Sequence, residues 1–240
     1  MIFVYFTINP LFCKCRLKAT KKTLSTFFAT LLLMLAFTKK EKALFKRLNT
    51  PAKIQDFINT LPINHESDGI DTVKSPLMVL RTNSAHCIEG AILGAYLLSL
   101  HGHKPLVLHL QAKKTDFDHI VSPFKQDGYW GALSKTNHTV LRYREPVYKS
   151  IRELVMSYFH EYFTDDGVKT LRKYSAPLDL SVFGSEWMNE EDYLWGIDQE
   201  LGAIKHFDIA PASILKRMRR ADMIERKAGI LIEWKSPKKS

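Results

Sequence analysis

Cysteine is scarce in this chain. There are three in 240 residues, and two of them, Cys13 and Cys15, fall within the first 37. A disulfide-stapled scaffold is excluded. Cys87 stands alone in the remainder, with no second cysteine there to bridge or to build a zinc cluster. Glycine and proline are sparse too, at 11 and 10 residues, which excludes collagen-like and low-complexity chains. No apolar run reaches the ~18 residues that mark a membrane-spanning helix, so a multi-span membrane protein is excluded. Neither G-x-G-x-x-G nor a P-loop occurs, and no EF-hand loop, so the motifs call for no nucleotide, calcium or other cofactor. Internal repeats and Gly/Ser-rich linkers are absent, which favours one domain.

What is present is the composition of a folded protein: 45% apolar and 25% charged residues. That is enough apolar side chain to offset the ordering entropy of the backbone. The net charge of +10 sits at the ends. Residues 1–50 hold ten basic groups and one acid; residues 212–240 hold nine and three. Between them, sixteen basic and twenty-one acidic groups leave the body mildly acidic. No basic stripe is interleaved with aromatics, so nucleic acid is not the expected partner, and the ends read as solvated tails.

Residues 23–37 (TLSTFFATLLLMLAF) follow Lys18, Lys21 and Lys22. A basic stretch before ~15 apolar residues has the order of a signal peptide, but no small-x-small cleavage site follows. Three readings stay open: a start at Met34, a short membrane anchor, and a cleaved signal. The expectation is a cytoplasmic protein, with membrane association only if residues 23–37 are retained. The organisation that follows is an N-terminal extension over 1–37, a domain over 38–210 with its core at 77–163, and a basic helix and tail over 211–240.

Periodicity and punctuation place the elements. Residues 39–60 read as helix broken at Pro51, with Thr50 as N-cap. A polar loop with a turn at Asp68-Gly69 follows, and then a short apolar stretch, Leu77–Leu80. A buried helix starts near 84–87 and stops at His101-Gly102. Strands are expected at 105–111, 118–126 and 129–135, the last two joined by the Asp127-Gly128 hairpin. Residues 142–146 read as loop, 150–163 as helix and 179–210 as irregular structure. A basic helix at 214–223 and a final strand at 229–234 complete the reading.

Three features carry chemistry: a cysteine opening a helix, a histidine on a following strand, and a hairpin. At a helix N-terminus the backbone N–H groups favour an anion, so Cys87 is more easily ionised to the nucleophilic thiolate. His119 can pair with that thiolate and later protonate a leaving group. Neighbouring N–H groups can hold an oxyanion. His86 is a rival base, set aside because adjacent helical residues point apart. The competing reading of Cys87 is a small buried hydrophobe.

The order Ala85-His86-Cys87-Ile88-Glu89, then an apolar helix, a glycine turn and the strand "PLVLHL", resembles the transglutaminase-like superfamily, relatives of papain-type cysteine peptidases. So does the second block, His119 with Asp127-Gly128 eight residues on and Trp130 at eleven. The resemblance covers residues 81–137. It implies an α+β fold with a papain-like core, the nucleophile helix packed on an antiparallel sheet. It also implies a bacterial-type cysteine peptidase or amidase acting on a peptide or protein amide, with hydrolysis preferred to transamidation.

One departure stands out. The position fifteen after His119, where the family has its third catalytic residue, is Ser134 rather than Asp. Hairpin register puts Ser134 one diagonal step from His119. Asn137 is the other candidate orienter, and neither supplies negative charge. An inactive binding or scaffold module on the same fold is therefore the alternative. Arg81 and Asn83 are candidates for binding a substrate carboxylate or carbonyl, against loop capping. Trp130 is a candidate wall of the site. Arg142 and Arg144 are candidate anion holders. Glu89 reads as a first-turn acid on the helix dipole. His101 with His103 is a weak zinc signal.

Overall fold

The computed structural model describes residues 36–66 and 70–235. Residues 1–35, with Met34 and the two N-terminal cysteines, lie outside the described residues, as do the Asp68-Gly69 turn and residues 236–240. Two helices come first, α1 (Lys39–Arg47) and α2 (Pro51–Thr60). Thr38 caps α1 in a reciprocal box with Glu41, and Thr50 caps α2 by accepting from the Lys53 N–H. Pro51 at the first helical position costs no hydrogen bond, because the N–H it lacks has no helical partner there. The stretch 77–80 belongs to a short helix, α3 (Pro76–Thr82), capped by Ser75.

The next helix, α4 (Cys87–Ser99), is apolar all round. Such a helix must be covered on every side. Helices α1, α2 and α3 cover part of it, and the sheet covers the rest.

The sheet is open and antiparallel throughout. Its strands are β1 (Leu106–Ala112), β2 (His119–Gln126), β3 (Tyr129–Ser134), β4 (Arg144–Tyr148), β5 (Leu171–Ser175), β6 (Leu178–Asp179) and β7 (His206–Asp208). The order across it is β4-β3-β2-β1-β5-β7, with β6 pairing the start of β1. Asp127 and Gly128 both have positive φ, 49° and 87°, as the two-residue turn between β2 and β3 demands. That turn sets the register: Lys125 opposite Trp130, Val121 opposite Ser134.

Alternation along the strands feeds two cores. Val107, Ile120, Phe124 and Leu133 face the helical layer around α4. Leu108, Leu110, Val121 and Ala132 face α5 (Ile151–Phe159) through Leu154, Val155 and Tyr158. The fold is thus α+β, with the Cys87 helix on one face of an antiparallel sheet.

Four expectations need correction. Residues 144–148 form strand β4, because Arg144 and Tyr148 pair with Ala132 and Trp130 at the sheet edge. The basic helix at 214–223 is absent; a single turn, α7 (Ala212–Leu215), and a later helix, α8 (Met223–Gly229), flank an irregular connection. Residues 229–234 make only one bridge, Ile232 to His138. The stretch 179–210 includes one further helix, α6 (Trp195–Ala203), and strand β7. Among the described residues no helix is long and apolar enough to cross a membrane.

Candidate active site

Cys87 is the first residue of α4, and His119 is the first residue of β2. Ser134 is the last residue of β3. By alternation, His119 and Ser134 share the α5 face of the sheet with Val121 and Ala132, while Cys87 arrives from the opposite layer. They meet at the end of the sheet where β2 begins and β3 stops. A cleft of about 770 Å³ opens there, lined among others by Cys87, His119, Lys135, Asn137 and Leu141.

The histidine tautomer follows from its partners. Ser134 Oγ donates to the Leu141 carbonyl at 2.5 Å. Its lone pair therefore accepts from His119 Nε2–H, at 2.8 Å. That leaves His119 Nδ1 to act on the thiol of Cys87. Ser134 is itself clamped. Gln55, buried on α2, accepts from the Ser134 N–H at 2.9 Å and donates to its carbonyl at 2.8 Å. Leu141 is held in turn: its N–H donates to Glu161, which also pairs with Arg144. Its backbone takes φ +59°, a strained conformation for a leucine. A neutral hydroxyl thus orients His119, and rigid packing fixes the hydroxyl.

A second imidazole reaches the same sulfur. His86 is not helical; it is the N-cap of α4, with φ −99° and ψ −168°. The rule that adjacent helical residues diverge does not apply to an extended residue followed by a helical one. Its Nε2–H donates to the Thr72 carbonyl at 2.7 Å, with Glu66 Oε1 at 3.2 Å and Glu89 Oε1 at 3.6 Å. The ring also acts on the thiol of Cys87. His86, set aside on that rule, therefore stands beside Cys87 because the helix begins only at Cys87.

The electrostatics follow from this geometry. Burial pushes the Cys87 thiol up, but hydrogen bonds and charge from His119 and His86 outweigh it and hold the group at about 5. Burial pulls His86 down, but Cys87, Glu89 and the Thr72 carbonyl outweigh that and raise it to about 9. Between these values the cysteine is a thiolate and His86 an imidazolium. Glu89, fully buried, accepts from the His86 N–H (3.0 Å), Thr72 Oγ1 (2.7 Å) and the Lys74 N–H (3.2 Å). It caps the helix as its first-turn position implies and places a carboxylate behind His86.

The chain shows no match to any family model, and no curated protein matches it. The geometry alone must carry the functional argument.

The remaining candidates fall elsewhere. Asn137 lines the cleft but does not orient His119. Its side chain accepts from the Trp234 N–H at 2.8 Å and donates to the Trp234 carbonyl at 2.9 Å, so it holds the C-terminal segment. Arg81 is exposed and pairs with Glu191 at 3.1 Å. Asn83 ends α3 in the left-handed conformation, φ 49°. Trp130 packs in the α5 core, with the Lys125 ammonium 5.5 Å from its ring. None of these three lines the cleft. Arg142 pairs with Glu233 and Arg144 with Glu161. His101 bonds the Phe45 carbonyl and His103 packs on Phe124. Among the described residues no group of three or more His, Cys, Asp or Glu is placed to hold a metal.

Two further residues had no sequence signal as site components. Gln55 is one polar position on an otherwise apolar helix face. Asp118 accepts from the Ala112 N–H (2.7 Å) and faces His109 (2.8 Å), which pins the turn immediately before His119.

Proposed function

We propose that this protein is a cysteine-dependent acyl-transfer enzyme with a transglutaminase-like, papain-related core, acting on the amide bond of a peptide or protein and passing the acyl group to water in preference to an amine. The observation that carries this reading is one half-buried cysteine at a helix N-terminus with His86 and His119 acting on its thiol, which together hold it well below its ordinary value. A structural cysteine needs no such partners and is ordinarily held in the thiol form by burial.

The steps follow from the placement of the groups. The Cys87 thiolate attacks the amide carbon, and the C=O π pair moves to oxygen. The N–H groups of the first turn of α4, which have no helical acceptor, receive that oxyanion. The thiol proton of Cys87, taken up by His119 Nδ1 as the thiolate forms, passes to the departing amine as the C–N bond breaks. Water then attacks the thioester, giving a proton back to His119, and the acid leaves with the thiolate restored. Ser134 holds the ring by accepting from Nε2–H and carries no charge. The cleft, open to one side of the sulfur, is large enough for a peptide segment.

The alternative, an inactive module on the same fold, rests on Ser134 in place of a carboxylate. Alkylation of Cys87 by iodoacetamide as a function of pH separates the two. The wild-type protein is expected to react with an apparent pKa near 5, and His119→Ala with a value at least one unit higher. Turnover of peptide amides would complete the assignment. A slow thiol of ordinary pKa in both proteins would leave a binding module.

A further inference from the structure

The C-terminal basic segment is not a solvated tail over its first part. Residues 212–220 fold back against β5 and the turn after β1 and close a recess of about 510 Å³. Five cationic residues line it: Lys113, Lys169, Arg172, Lys216 and Arg220. No Asp or Glu does. The rest of the wall is apolar, with Val168, Leu215 and Met218 among it.

The charges are poorly compensated within the protein. Arg220 pairs with Asp166 at 2.8 Å. Among the described residues the other four show no ion pair. Lys169 is 9% exposed, and its ammonium lies 5.9 Å from the centre of the Phe163 ring. Arg172 is partly buried. It donates from one terminal nitrogen to the Lys169 and Leu171 carbonyls, at 3.1 and 3.0 Å, which fixes the guanidinium without neutralising it. Burial pulls it below its ordinary value, and no carboxylate offsets that.

Lys169 and Arg172 are the two drawn from water, Lys113, Lys216 and Arg220 being exposed, and gathering like charges around them costs free energy unless an anion answers them. We propose that the recess is a binding site for a small soluble oxyanion of the phosphate type, with Arg172 and Lys216 as principal donors. The planar guanidinium suits two oxygens of one phosphate, and the lysines act as point charges around it. The size of the recess and its aliphatic wall favour a small phosphorylated molecule over a nucleic-acid strand, which would need stacking aromatics along a track. This site is separate from the Cys87 cleft and does not rest on the function proposed for it.

The test is titration of the full chain with pyrophosphate at matched ionic strength, read by thermal shift and by calorimetry. Saturable binding that raises the melting temperature is expected, because a ligand that binds only the folded state stabilises it. The dissociation constant should rise at least tenfold in Lys216→Gln and in Arg172→Gln. Lys216 is exposed, so that variant keeps the test valid even where Arg172→Gln folds poorly. Cys87 alkylation at an unchanged rate would report an intact fold in each. Absence of saturable binding, or equal stabilisation of all three proteins, would overturn the proposal. So would lysine-dependent flotation with phosphatidylglycerol vesicles without pyrophosphate binding, since that would place the phosphate on a lipid.

Discussion

At Cys87 the question is which histidine supplies charge and which moves protons. His119 is oriented by Ser134, a neutral group, so nothing beside it stabilises an imidazolium as a carboxylate would. His86 has the opposite surroundings: Glu66 at 3.2 Å and Glu89 at 3.6 Å from Nε2, with Lys74 bound on the far side of Glu89 at 3.8 Å. The negative charge missing at position 134 is therefore present behind the other ring. The reading that follows is a division of roles, with His86 a standing cation that holds the thiolate and His119 the group that gives and takes protons. His86→Gln is expected to raise the apparent pKa of Cys87 alkylation by a unit or more, leaving a residual dependence on His119. An unchanged pKa in His86→Gln, beside a raised one in His119→Ala, would return both roles to His119. Cys87 and His119 were legible as chemistry because each sits at a boundary that punctuation marks in the sequence. His86 was not, because its role depends on one ψ angle at the helix entrance, and no residue pattern announces that.

The contact between α4 and β3 explains why the site keeps its shape. At Gly90 an added Cβ would lie 2.3 Å from Lys135 Cβ, and at Gly94 it would lie 2.9 Å from Leu133 Cδ1. These two glycines let the nucleophile helix lie against the strand that ends in Ser134. The partner at Gly90 is the root of a side chain rather than its flexible end, so the strand itself must move. Gly90→Ala is expected to destabilise the fold by about 1–3 kcal/mol through overpacking, despite the better helix propensity of alanine. Its Cys87 alkylation should slow as Ser134 shifts. Gly196→Ala, on α6 where nothing lies within 4 Å, should instead be neutral or stabilising by up to ~1 kcal/mol. Urea denaturation of the two variants checks both. The helices and the β2–β3 hairpin were legible because caps, period and turn residues agree with one another. Strand β4 was not: Arg144–Tyr148 carries a proline and two charges, and it is a strand only because the edge of β3 offers it hydrogen bonds. The expected helix at 214–223 failed for the converse reason. Its residues are good helix formers, but Arg220 bonds to Asp166 and the Ala221 N–H donates to the Gly167 carbonyl, which draws the backbone out of helical geometry.

The whole chain feels the same thiolate–imidazolium pair through the pH dependence of its stability. Cys87 is depressed in the folded protein, to about 5. Its contribution is complete above the unfolded thiol value of ~8.5 and is lost as pH falls through 5. His86 is raised, to about 9. Its contribution is complete below the unfolded value of ~6.5 and is lost as pH rises through 9. The two shifts are largely one interaction seen from its two ends, so protons must be counted over the pair. From about 5 to 6.5 the folded pair binds one proton and the unfolded pair two, so stability rises with pH. From about 6.5 to 8.5 each state binds one, folded on His86 and unfolded on the thiol, and the contribution is level. From about 8.5 to 9 the folded pair keeps its proton while the unfolded pair has lost both, so stability falls slightly, and above 9 neither state binds a proton and the pair contributes no further change. The difference in unfolding free energy between wild type and Cys87→Ala should therefore climb between pH 5 and 6.5 and then stay flat to pH 8.5. Denaturant melts of the two proteins at closely spaced pH values measure it directly. A difference that is flat from pH 5 to the ordinary thiol value and then flat or falling would mean that Cys87 is folded as a neutral thiol, and the acyl-transfer reading would fall with the ion pair.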